Sequence, residues 1–274
     1  NMTILYEKFW SLSKTEQADL IWNALFIENS PVSESCRGVL TTLNKLGIEP
    51  RRNDLSSLRK WFAQWNALDY TQHCMELANV KTICMTNSPF DDLERPTWEQ
   101  GFSRHNGFTS ALRIDPLLMQ WEQTAGQMQG WGYDVSTHMD EKTIAAVRRF
   151  LLDWTQKMDA LYVMVSLPPS FEYPGNSDTA QLIEKAVLPF CRENNLPFAV
   201  MMGVKRAVNP HLQLAGDGVG KSDIVALENM AAQFSDTKFL VTMLSRENQH
   251  ELCVVARKFR NIHVFGCWWF TNIP

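Results

Sequence analysis

The run Leu161-Tyr-Val-Met-Val-Ser-Leu-Pro-Pro169 decides the architecture. From Leu161 to Leu167 it is a short apolar stretch that reads as a buried strand. A helical pattern over Thr143–Met158 precedes it, and another over Thr179–Asn194 follows, leading into a second apolar run, Phe198–Met202. Working outward, the same texture recurs at Val80–Met85, Phe108–Ile114, Phe239–Leu244 and Ile262–Phe265, with helical patterns at Asp223–Phe234 and Asn248–Phe259. The gap from 86 to 107 reads mostly as loop. Strand followed by helix, with nearly continuous apolar strands, means a parallel sheet. Right-handed crossovers then leave a doubly wound sheet or a β/α barrel. Thr86-Asn-Ser-Pro-Phe90, after the first run, lacks glycine, which argues against a dinucleotide-binding fingerprint.

Residues 1–78 have a different texture. Helical spacing runs over Ile4–Trp10, Glu16–Phe26, Glu34–Leu46 and Leu55–Ala78. Ser13 or Thr15 can cap the second of these and Ser33 the third, and Gly47 stops the third. The chain therefore divides into a helical block, 1–78, and a β/α core, 79–274.

Of the 274 residues, 45% are hydrophobic and 20% charged, enough for a sizeable core. A net charge of −4 argues against nucleic acid, which wants clustered Lys and Arg. No run approaches the length of a membrane span, and no signal peptide follows Asn1. Cys36, Cys74, Cys84, Cys191, Cys253 and Cys267 form no CxxC pair and read as reduced core cysteines of a cytoplasmic protein. The histidines form no HxH or HxxxH pair, so no metal-ligand set is readable.

The polar candidates cluster just after the apolar runs, where parallel β/α folds build their sites. They are Asn87 in the first loop, Arg113 with Asp115 after the second run, and Ser166-Leu-Pro-Pro after the third. Arg206, Asn209 and Asp217 follow the fourth, Arg246-Glu247 the fifth, and Trp268-Trp269 the sixth. Arg113 and Arg206 could clamp an anion, because guanidinium meets a carboxylate two-pronged. Arg113 and Asp115 could equally pair with each other. Asp91 could cap the turn after Pro89 or serve as an acid–base group. Gly216-Asp-Gly-Val-Gly220 could cradle an anion or merely turn. The tryptophans could wall a site or simply pack.

These stretches resemble the uronate (glucuronate) isomerases, metal-dependent β/α barrels of the amidohydrolase superfamily. Asn79–Glu94 resembles the family's second strand and the loop after it, although Asn87-Ser88 stands where the family carries Asp-Asp. Leu112-Arg-Ile-Asp115 is similar to its Trp-Arg-Pro-Asp segment. Met202–Asn209, Ser245–Leu252 and Phe265-Gly-Cys-Trp-Trp-Phe270 resemble three further motifs, the last being Gly-Trp-Trp-Phe. The resemblance implies a (β/α)8 TIM-type barrel, present here as strands two to seven with the helical block inserted on the N-terminal side. It implies aldose–ketose isomerisation of hexuronates, with a small sugar acid as partner and a divalent metal of the zinc type. It also places Arg113, Asn87, Arg206, Asn209, Asp217, Arg246, Trp268 and Trp269 around the substrate and leaves the general base unassigned. The metal motifs of strands one and eight fall outside this span. The family's strand-five histidine falls on Met201, whose thioether is a weak ligand for a hard cation. A superfamily hydrolase, or a sugar-acid-binding protein without turnover, are the alternatives.

Six strands leave two edges unpaired, so these 274 residues alone are expected to dimerise or aggregate, as a homo-oligomer-forming chain would. Sedimentation checks this: a monodisperse, cooperatively unfolding monomer would count against it.

Overall fold

The structure, a computed structural model, describes residues 4–49, 55–101 and 107–266. The chain divides into two compact units, with the boundary between Lys81 and Thr82. The first is helical: α1 (Tyr6–Ser11), α2 (Lys14–Trp22), α3 (Glu34–Lys45), α4 (Leu55–Phe62) and α5 (Ala67–Leu77). Its local logic is largely capping. Ser13 forms a reciprocal capping box with Glu16 at the start of α2, and the Ser33 hydroxyl accepts from Cys36 N–H at the start of α3. Gly47, at φ 76°, turns the chain out of α3 in a conformation that glycine adopts without penalty. The single helix expected over 55–78 is two. The Asn66 side chain accepts from Leu68 and Asp69 N–H, which gives α5 its own start and breaks the pattern. Trp22, Phe26, Cys36, Leu43 and Leu58 make a small core, with Trp22 stacked on Phe26 at 4.5 Å.

The second unit runs β1 (Ile83–Asn87), α6 (Glu94–Glu99), β2 (Phe108–Arg113), α7 (Asp115–Met119), α8 (Trp121–Gly130), α9 (Glu141–Met158) and β3 (Ala160–Leu167). It continues with α10 (Asp178–Leu182), α11 (Leu188–Glu193), β4 (Phe198–Met202), a short antiparallel hairpin β5 (Val204–Lys205) and β6 (Gly218–Val219), α12 (Val225–Gln233), β7 (Phe239–Met243), α13 (Gln249–Ala256) and β8 (Ile262–Val264). A π-helical turn, Ile183–Val187, joins α10 to α11. The main sheet has the order β1-β2-β3-β4-β7-β8, and every neighbouring pair is parallel. Strands that neighbour each other in chain order leave no reversal point, so the doubly wound alternative falls away and the sheet is an arc of a β/α barrel. Among the described residues the arc is not closed, and β1 and β8 are its edges.

The loop expected over 86–107 contains α6, and α7 and α8 stand between β2 and α9 in a stretch without a clear periodic pattern. Pro116 sits in the first turn of α7, where its missing N–H costs nothing.

Side-chain parity organises the sheet. Val163, Val165 and Leu167 on β3, Phe198, Val200 and Met202 on β4, and Phe239, Val241 and Met243 on β7 all join the core. The alternate positions, Ser166, Met201 and Thr242, lie in register with one another on the opposite face.

Helix α9 holds the largest block of that core. Asp140 caps it by accepting from Thr143 N–H at 2.7 Å, and Asp159 ends it in the left-handed region. Ala146, Val147, Phe150, Leu151, Trp154 and Met158 recur at helical spacing and are buried. Phe150 packs at 5.3 Å from both Phe90 and Tyr133, and the Arg95 guanidinium lies 3.5 Å over the Trp131 ring. Phe150 therefore anchors the segment after β1. Phe150→Ala is expected to cost about 3–5 kcal/mol, read as a lower denaturant midpoint. A loss below about 1 kcal/mol would mean that the cluster collapses around the gap.

Candidate active site

A cleft of about 730 Å³ opens beyond the C-terminal ends of β1 to β4. Its polar wall comes from the ends of different strands: Ser88 after β1, Arg113 and Asp115 at β2, Ser166 on β3, and Arg206 with Asp217 from the β5–β6 hairpin. This is where a parallel β/α arrangement presents groups that the core does not use.

The four charged groups form an alternating chain. Arg113 donates through Nε to Asp115 Oδ2 at 2.9 Å and through Nη2 to Oδ1 at 3.2 Å, a two-pronged pair. Arg206 Nη2 lies 3.8 Å from Asp115 Oδ1, and its Nη1 donates to Asp217 Oδ2 at 2.5 Å. The exposures decide what a ligand meets. The Arg113 and Arg206 side chains are 36% and 55% exposed, and the Asp115 and Asp217 side chains only 12% and 9%. Asp115 and Asp217 are thus anchors held behind the guanidinium groups, and the part of the cleft that the two arginines line is cationic, with the exposed Asp91 elsewhere on its border. The hydrogen bond to Asp115 raises the pKa of Arg113 further, against the opposing effect of burial. Asp217 is pushed up by burial, but the Ala207 N–H and the Arg206 guanidinium outweigh this and hold its carboxyl below the ordinary value.

The hairpin that carries Arg206 depends on two glycines. Gly203, at φ 111°, leaves β4 with its N–H on Leu167 O and its carbonyl accepting from Gly220 N–H. At Gly216 a Cβ would meet Asn209 O at 1.9 Å, so only glycine permits this close approach. Ala207, at φ 49°, is held in the left-handed region while its N–H donates to Asp217 Oδ1 at 2.8 Å. The glycine-rich stretch therefore closes the hairpin.

Of the residues singled out in the sequence, Arg113, Arg206 and Asp217 meet at the cleft. Asn87 stands just before it, with Nδ2 donating to Glu94 and Oδ1 buried without a partner. Asn209 shapes the hairpin, its N–H donating to Gly216 O and its Oδ1 accepting from His211 N–H. Arg246 is exposed, opens the 3₁₀ turn after β7 and is not part of the cleft lining. Trp268 and Trp269 lie outside the described residues. Asp91 caps its turn by accepting from Leu93 and Glu94 N–H, and it also borders the cleft. Gln120 and Gln213 line the cleft with no signal in the sequence, whereas Ser166 was visible as a hydroxyl inside an apolar run.

The divalent metal implied by the sequence resemblance is not matched here. Among the described residues no group of three or more His, Cys, Asp or Glu could hold an ion, and the strand position expected for a histidine carries Met201, between Ser166 and Thr242.

A parallel arc with its cleft beyond the strand ends defines a β/α-barrel core. No family model matches the chain, and no curated protein matches it. Solved structures do. A uronate isomerase from Bacillus halodurans shares 50% identity over 96% of this chain and 63% of its own, with a TM-score of 0.94. A uronate isomerase from Thermotoga maritima, 16% identical over 96% of this chain and 66% of its own, has a TM-score of 0.70. A glucuronate isomerase from Caulobacter crescentus, 14% identical over 72% of this chain and 48% of its own, has a TM-score of 0.55. At those lower identities the last two speak for the fold alone. The chain is thus similar to a uronate isomerase at half identity and spans 63% of the Bacillus halodurans protein's length.

Gly216→Ala is expected to displace the hairpin. Limited proteolysis should cut within 206–217 while the far-ultraviolet circular dichroism stays unchanged. Resistance equal to that of the parent would show that the Asn209–Gly216 approach can relax.

Proposed function

We propose that the protein to which this chain belongs interconverts hexuronates between their aldose and ketose forms, as in glucuronate to fructuronate. The observation that carries the reading is the half-identical match, along nearly the whole chain, to a solved uronate isomerase. The cleft is compatible with it. A hexuronate brings a carboxylate at one end and a chain of hydroxyls, and the accessible guanidinium groups of Arg113 and Arg206 suit the carboxylate. Asp115 and Asp217 keep both guanidinium groups aimed, so little ordering remains to be done on binding. The reaction moves a proton between C2 and C1, and it needs a base near C2 and a polarised carbonyl. The role proposed for Arg113 is to hold the acid so that those carbons are presented in one orientation.

Met201 on the interior face favours a second reading, a sugar-acid-binding pocket without turnover. The free cysteines, Cys36, Cys74, Cys84, Cys191 and Cys253, suit the reducing cytoplasm proposed as its setting.

Glucuronate and galacturonate are offered to the full-length protein and the ketose is followed by nuclear magnetic resonance. Arg113→Lys keeps a charge beside Asp115 but loses the fork. It is expected to raise KM about 10- to 100-fold, on the order of 1.5–3 kcal/mol. Ketose from neither acid would end the isomerase reading, and binding without turnover would select the second one.

A further inference from the structure

We propose that Ser166 is a specificity-determining residue whose hydroxyl bonds one hydroxyl of the bound sugar acid. The inference deepens the hexuronate reading and rests on it. Seven buried side-chain polar atoms among the described residues have no hydrogen-bond partner: Asn87 Oδ1, Arg95 Nη1, and the hydroxyls of Ser110, Ser166, Ser222, Thr237 and Thr242. Of these residues only Ser166 lines the cleft. The residue is 5% exposed, so bulk water does not satisfy it freely. A buried hydroxyl left without a partner is costly, and native proteins rarely keep one without a reason.

Its place on β3 says what it faces. Val163, Val165 and Leu167 take the core positions, so strand alternation turns Ser166 to the other face. Its register partner there, Met201, offers only a thioether, which is a weak acceptor. Arg113 pairs in register with Met164, two residues before Ser166. That offset is about 7 Å along the strand, a separation that a six-carbon acid bridges. With its carboxylate on Arg113, such an acid would bring its hydroxyls to Ser166. A hydroxyl side chain both donates and accepts, which matches a sugar hydroxyl and not a second charge.

The test pairs Ser166→Ala with substrates that lack single hydroxyls. Dissociation constants are measured by calorimetry on the full-length protein and on the variant, for glucuronate and for its 2-, 3-, 4- and 5-deoxy derivatives. Ser166→Ala should weaken glucuronate about 5- to 20-fold. For one deoxy derivative that loss should vanish, because its partner hydroxyl is already gone. An unchanged glucuronate affinity would overturn the proposal, and so would the same loss for all five ligands, the 5-deoxy acid included, the mark of a merely structural role. Glucuronate bound but not isomerised would overturn the isomerase reading alone, and the deoxy series would still decide Ser166. No binding by the parent protein would overturn both.

Discussion

The in-register parallel pairing of β3, β4 and β7 is the constraint on which the rest of the second unit depends. Phe198 pairs with both Val163 and Phe239, and each following residue repeats the match to the ends of the strands. With no bulge among these three strands, side chains of one parity fall on one face across all of them. That face is apolar without exception and packs into the core with α9 and its neighbours. The other parity is thereby released from core duty, and it holds Ser166, Met201 and Thr242. A slip of one residue would carry Ser166 into the core and Leu167 toward the cleft. The register that stabilises the sheet and the register that composes the cleft are thus one and the same.

The charged groups obey a second constraint. An exposed arginine aimed at a ligand must be held still, and an acid is the cheapest partner that can hold it. Asp115 is shared by both arginines, bonding Arg113 directly and lying at longer range from Arg206. Asp217 then fixes Arg206 and, through Ala207 N–H, the hairpin backbone. Because both acids are nearly buried and both bases are half open, the arrangement projects positive potential outward. A cleft with the same four residues in the reverse exposure would repel an acid.

The barrel arc was legible because its strands are short apolar runs that alternate with strong helical patterns. Phe198–Met202 was read with the bounds that the structure shows, and the other runs differed only at their ends. Capping residues were legible for the same local reason, as Ser13 and Ser33 show. What failed were features set by partners far along the chain. The break at Asn66 inside a helical pattern and the short helices α6 to α8 depend on packing that no local window contains. The cleft was legible where strand ends carry charge, as at Arg113. Arg246 also follows a strand, opening the 3₁₀ turn after β7, and yet is not among the residues that line the cleft. Position after a strand is therefore neither sufficient for a place in this cleft, as Arg246 shows, nor required, as Gln120 and Gln213 show.

The likeness to a uronate isomerase and the cleft also bear on each other. The match to a uronate isomerase is spread along the chain and would hold whatever single residues did. Met201 is one residue, yet it occupies the in-register position between two unpartnered hydroxyls, the part of the interior face where a ligand would leave its imprint. Ser166 and Thr242 are too short to meet each other across the intervening strand, since adjacent strands stand about 4.8 Å apart. Met201 cannot donate to either of them. The row therefore presents hydroxyls whose bonding must come from across the face. A polyhydroxylated acid anchored on Arg113 supplies such groups near Ser166, which ties the cationic rim and the orphaned interior hydroxyl to one ligand.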